Sequence, residues 1–230
     1  MQYEATSLLG GEKIGITFTK KAVTPWGGLV LFGGLCRQLG FEAALREALP
    51  FKLTSPNATD PVEIVLAFMA GVLVGSRRLA HVERLRWDEG VRRILGLERF
   101  VSDTTLSRFF RRFSSGSVTT VFESLLRWQL RQIKLEGEIL DLDSSVVERY
   151  GKQEGTQLGY NPKKHRRPSH HPLLAVLGKR PWVVHAWLRS GNTTSASNAE
   201  QFLEAALAML PEEVKIRHLR GDSGFGFESF

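Results

Sequence analysis

The spacing of apolar positions divides the chain into a stretch of helical period and a stretch of short apolar runs, with the change near residue 137. Ahead of the helices, residues 14–19 carry a short strand pattern. Thr24 followed by Pro25 reads as an N-cap with proline in the first turn, opening a helix towards residue 39. A second helix over 41–49 stops at Pro50, and the turn-rich segment 54–60 ends in Asp60, a cap for a helix beginning at Pro61. From Val62 the run VEIVLAFMAGVLVG is apolar nearly all round, which predicts a buried central helix. SDTTLSRFFRRF predicts a helix capped by Ser102 or Asp103, with Leu106, Phe109, Phe110 and Phe113 on its apolar side. A further amphipathic helix covers 118–134.

From Ile139 the period shortens. Ile139, Leu140, Leu142, Val146 and Val147 form an apolar, β-branched segment punctuated by Asp141 and Asp143, which predicts a strand over 139–147. Side chains alternate along a strand, so the two aspartates share one face and Leu140 and Leu142 the other. Carboxylates gathered on one face call for a metal ion, a basic partner or solvent, the last being the case of a half-exposed edge strand. Downstream, strands over 171–177 and 182–188, a helix over 197–209 and a strand over 215–219 lead to Arg220, Gly221 and Asp222. Gly191 and Asn192 form the turn before that helix, and Ser197 or Asn198 caps it.

That order matches the first half of a ribonuclease-H-like fold, in which three strands form an antiparallel meander and the strand after the helix lies parallel beside the first. Asp143 and Asp222 then stand on neighbouring strands, where two carboxylates can bridge divalent cations for phosphodiester chemistry. The expected fold class is α+β: a mainly helical region over 1–136, then an incomplete ribonuclease-H-like core over 137–230, a mixed sheet with flanking helices.

Charge adds a partner to this picture. Lys and Arg number 31 against 24 Asp and Glu, a formal charge of +7, which suits a polyanion. The positive charge is segregated: residues 76–134 hold 13 basic residues against 6 acids, and residues 149–180 hold 8 against one. In the first segment Arg108, Arg111 and Arg112 are either a solvated helix face or a helix presented to DNA, as in a helix-turn-helix. In the second, Lys163, Lys164, Arg166 and Arg167 repel one another unless something anionic is near, and Tyr160 can stack on a base or sugar, so this loop is expected to contact DNA. A single cysteine, Cys36, excludes an internal disulfide and fits a reducing compartment. The apolar run 26–35 is too short for a bilayer, and no signal-peptide pattern follows it, so the expected location is the cytoplasm, in association with the nucleoid.

Two motifs point elsewhere and are set aside. His165, His170 and His171 lack the spacing of a structural zinc site, and are expected to be solvated or to face phosphate. The GDSG of residues 221–224 has the letters of a serine-protease nucleophile segment, but the basic, helix-rich chain does not suit the all-β double barrel that such a segment needs.

LDLDSS, YGKQEGTQLGYNPKK, SHHPLLAVL, LRSGNTTSASNAEQFL and RGDSGF occur in that order. As an ordered set they resemble the insertion-sequence transposases of the DDE superfamily, most closely the group named after insertion sequence thirteen-eighty. The resemblance is close over 140–225 and looser over the helical region. It implies DNA transposition: metal-dependent cleavage and strand transfer at transposon ends, with transposon-end and target DNA as partners and self-association possible. It also implies that two aspartates and a later glutamate hold Mg2+ or Mn2+. By motif, Asp143 with Ser145 matches the first carboxylate and Asp222 the second, with Asp141 an alternative to Asp143. The sequence reaches Phe230 without the glutamate, Glu228 standing too close to Asp222, so the resemblance implies a fragment inactive by itself. The other reading of such a chain is a non-catalytic DNA-binding product that occupies transposon ends or represses transposition.

Overall fold

The computed structural model describes residues 2–6, 13–17, 20–52, 55–97, 99–151, 153–159, 161, 166–178 and 181–225. The chain forms two compact units, 1–114 and 115–230.

In the first unit β1 (Gln2–Thr6) and β2 (Lys13–Thr17) pair antiparallel, and among the described residues the α-helices α1 (Leu29–Gln38), α2 (Phe41–Ala48), α3 (Pro61–Leu73), α4 (Leu79–Val82), α5 (Glu89–Leu95) and α6 (Asp103–Phe110) follow. The caps written in the sequence are used. Asp60 accepts the Val62 amide at 2.9 Å and Ser102 accepts that of Thr105 at 3.2 Å, each satisfying one orphan donor of a first turn. Thr24 departs from its expected role: its hydroxyl accepts from the Trp26 amide and donates to Asp88, while residues 25–28 form turns and α1 starts only at Leu29. Gly27 and Gly28 are the physical reason, since paired glycines weaken a helix where a side chain would support it. α3 buries Val62, Ile64, Ala67 and Ala70, and Gly71 lets α4 approach closely, Val82 occupying the space a β-carbon would need. Leu73 remains exposed, so the apolar surface of α3 is not all buried. Phe51, Phe109 and Phe113 meet edge to face at 4.7 to 5.7 Å and anchor α6.

The second unit begins with α7 (Ser115–Arg131), the helix expected to close the N-terminal region; it packs on β8 and α8 below. The strands are β3 (Ile139–Ser144), β4 (Val147–Glu148), β5 (Gln157–Leu158), β6 (Pro168–His170), β7 (Leu173–Leu177), β8 (Trp182–Trp187) and β9 (His218–Gly221), with α8 (Ala199–Met209) between the last two. The main sheet has the order β8-β7-β3-β9; β3, β7 and β8 form an antiparallel meander and β9 lies parallel to β3. This is the strand order that the sequence predicts. Leu140, Leu142, Leu173, Ala175, Leu177 and Val184 of the sheet close on Phe202, Ala206 and Met209 of α8. Full burial of one such side chain stabilises by about 1.5–3 kcal/mol, so this layer holds the sheet and α8 together.

The basic segment between β3 and β7 is more ordered than a loop: β4, β6 and β5 form a separate three-stranded antiparallel sheet. The predicted strand 139–147 is therefore two strands in two sheets. Gly191 lies against the backbone oxygens of Ser169 and Gln157, an approach that no side chain would allow, and so ties the turn after β8 to this small sheet. Asn198 is the N-cap residue of α8, but in left-handed conformation and with no side-chain cap; Ser197 bonds back to Thr194 instead. Among the described residues no helix is long and apolar enough to cross a membrane.

Candidate carboxylate site

β3 alternates as its pattern requires. Leu140 and Leu142 are buried in the core, and Asp141 and Asp143 lie on the other face. Parallel pairing with β9 sets Leu140 beside Leu219, Asp141 beside Arg220 and Leu142 beside Gly221. Registered residues of a parallel pair share a face, so the Arg220 guanidinium meets the Asp141 carboxylate as a two-pronged fork, Nε to Oδ1 at 2.5 Å and Nη2 to Oδ2 at 2.8 Å. That contact raises the Arg220 pKa further above its ordinary value, chiefly through the hydrogen bond. Asp141 thus has its basic partner, one that the pattern of the sequence does not identify.

Asp143 and Asp222 each follow directly on the last registered pair, Leu142 with Gly221, at the adjoining ends of β3 and β9. Both are exposed, and among the described residues the Asp143 side chain makes no hydrogen bond or ion pair. Asp222 sits in a short turn: its Oδ1 accepts the Gly224 amide at 2.9 Å and its carbonyl accepts that of Phe225 at 3.1 Å. The buried Phe225 ring pins this turn to the core, and it folds back over Gly221, where a β-carbon would come within 3.0 Å of the ring. On the core side of β3, Ser144 Oγ lies 2.7 Å from Ser195 Oγ and 3.2 Å from His171 Nε2.

Two exposed carboxylates are hard oxygen donors, and a small divalent cation such as Mg2+ takes one or two of them while keeping several waters. Asp143 and Asp222 fit that demand. Among the described residues no group of three or more His, Cys, Asp or Glu side chains gathers.

The residues expected to meet DNA are dispersed. Arg108, Arg111 and Arg112 are exposed at the end of α6, and Arg112 spends one face of its guanidinium on the Phe51 ring, 3.9 Å from the centroid. α6 itself packs on α3 and α4, whereas α5, the helix before it, packs on α1. Tyr160, Lys163, Lys164 and His165 lie outside the described residues. Arg166 and Arg167 are exposed beside the small sheet, and the Arg167 guanidinium stands 5.0 Å from the ring centroid of Tyr150, a 61% exposed aromatic not among the expected DNA contacts. Its signal was local: Tyr150 follows Arg149 at the start of the basic segment, just after β4. His170 and His171, expected to be solvated or phosphate-facing, are both buried, because β6 and the start of β7 run beneath the turn at Gly191.

No curated protein and no solved structure matches the chain. One family model does, over residues 6–230, and its description is transposase DDE domain group 1. That span takes in both compact units, both basic segments and the adjoining aspartates of β3 and β9, and the chain belongs to this family of DDE transposases.

Proposed function

We propose that the second unit is the first part of a ribonuclease-H-like catalytic core in which Asp143 and Asp222 hold Mg2+ or Mn2+ for DNA cleavage and strand transfer at transposon ends. The observation that carries this reading is the parallel pairing of β3 with β9, which brings to one end of the sheet two carboxylates far apart in sequence. The motif resemblance supports a finer placement within the family, in the group named after insertion sequence thirteen-eighty. When bound, a divalent cation would supply Lewis-acid stabilisation of the attacking and leaving oxygens of an in-line displacement. Asp143 and Asp222 provide the anionic oxygens that hold such an ion. Arg220 neutralises Asp141 and so keeps a third negative charge from that face. Arg108, Arg111, Arg112, Tyr160, Lys163, Lys164, Arg166 and Arg167 are the proposed DNA contacts, which orient the substrate by its phosphates. Self-association belongs to the same reading, since β9 is exposed along its length at the sheet edge.

Calorimetric titration of the 230-residue chain with Mn2+ tests the metal site. Asp143→Asn and Asp222→Asn should each abolish the saturable binding, and Asp141→Asn should leave it. Binding that survives both substitutions refutes the assignment.

A further inference from the structure

The segment LRSGNTTSASNAEQFL contains the turn and helix start expected of it, yet its middle reaches the carboxylates. Thr193 carbonyl oxygen lies 2.6 Å from His171 Nδ1, and His171 Nε2 lies 3.2 Å from Ser144 Oγ, which is 2.7 Å from Ser195 Oγ. A carbonyl only accepts, so Nδ1 carries a proton, and in the tautomer protonated there alone Nε2 accepts from Ser144. Ser144 must then accept from Ser195. In that tautomer the hydrogens of this network run one way: Ser195 to Ser144, Ser144 to His171, and the His171 Nδ1–H to the Thr193 carbonyl. The ring is held in place by burial, with 7% of His171 exposed. The loop has a second anchor in the buried Arg189, whose Nε donates to the His171 carbonyl at 3.1 Å and whose Nη1 donates to the Ser197 carbonyl at 2.6 Å.

One end of this network is Ser144, the residue after Asp143. The other end is Ser195, which borders the Asp222 turn: a β-carbon on Gly224 would lie 2.8 Å from Ser195 Oγ and 2.9 Å from Asp222 Oδ1. Neither carboxylate strand end has a ladder partner on the other past Leu142 and Gly221. β7 holds Asp143 through its register with Leu174, but Asp222 lies past the last pair of β9, in a turn whose position against the end of β3 is set by what packs on that turn.

We infer that Ser195, held through Ser144 by the buried His171, is a positioning residue that sets the spacing of Asp143 and Asp222. This inference rests on the proposed metal site. Groups that fix the geometry of metal ligands from outside typically contribute 10–100-fold in affinity; here the network acts through the backbone, Ser144 following Asp143 on the opposite face of β3 and Ser195 bordering Gly224, whose amide donates to Asp222.

The test uses the full 230-residue chain, Mn2+ titration calorimetry and a metal-free thermal melt. Ser195→Ala and Ser144→Ala should each weaken Mn2+ binding about tenfold with little change in the metal-free melt. His171→Gln, which keeps an amide near the Nε2 position, should recover affinity relative to His171→Ala. Arg127→Ala is the control for ordinary loss of stability, because Arg127 ties α7 to the Ala208 carbonyl at the far end of α8. It should lower the melt and leave Mn2+ affinity unchanged. Wild-type affinity in Ser195→Ala, or an equal loss in Arg127→Ala, overturns the positioning role while the metal site stands. If Asp143→Asn and Asp222→Asn also bind like wild type, the metal site itself has failed.

Discussion

Replacing Asp143 and Asp141 by asparagine, one at a time, should move the metal-free melting temperature in opposite directions although the two residues share a strand face. Asp143 and Asp222 end neighbouring strands, whose spacing is about 4.8 Å. At that separation two exposed carboxylates repel by about 1 kcal/mol in a water-like dielectric. Asp143→Asn removes the repulsion and, in a unit of this size, should raise the transition by roughly 3–6 °C. Asp141→Asn instead breaks a fork, leaving Arg220 without its carboxylate and lowering the transition. Manganese inverts the first result. At a hundredfold excess over its dissociation constant a ligand adds about 2.7 kcal/mol of stability, which wild type and Asp141→Asn gain and Asp143→Asn forgoes. Differential scanning calorimetry with and without Mn2+ reads all the transitions in the same samples. A metal-free transition lowered by Asp143→Asn would show that Asp143 is a structural partner. An Mn2+ response lost in Asp141→Asn and kept in Asp143→Asn would show that the wrong aspartate has been assigned.

Three further outcomes are expected. His185 is buried on β8 against Phe202 with neither ring nitrogen hydrogen-bonded among the described residues, and burial pushes its pKa below the ordinary value. The neutral ring is then favoured by folding, so stability should be full above about pH 6.5 and fall as pH drops through that value towards the lower folded pKa. Urea melts at pH 7.5 and 5.5 should show a smaller acid loss in His185→Leu than in wild type, and equal losses would refute this. Neutralising Lys163, Lys164, Arg166 and Arg167 together should flatten the dependence of log DNA affinity on log salt by about 0.9 for each phosphate that the segment no longer neutralises; an unchanged slope removes the segment from the binding surface. Gly191→Ala forces a methyl against the backbone oxygens of Ser169 and Gln157 and should cost about 1–3 kcal/mol, read as a lower urea midpoint. An unmoved midpoint would mean that the small sheet is not tied to that turn.

Much of this molecule was determined by local pattern. The helical period of the first part, the caps Asp60 and Ser102, the alternation that sorts Asp141 and Asp143 from Leu140 and Leu142, and the succession of strands and α8 along the chain are properties of residues a few positions apart. Each is therefore written along the chain. The small sheet β4-β6-β5 was not legible, because strands of two or three residues show no alternation, and the density of charge there reads as loop. Nor was the division of labour between the aspartates. Arg220 claims Asp141 across 79 positions, Ser144 meets Ser195 across 51 and His171 across 27. Those pairings follow from the register of β9 on β3 and from the path of the loop before α8, quantities set when distant strands pack. Local pattern determined that carboxylates would share a strand face, and only the tertiary structure decided which of them is neutralised and which is left at the end of the sheet near Asp222, because a side chain's partner across a sheet is chosen by register and not by its neighbours in sequence.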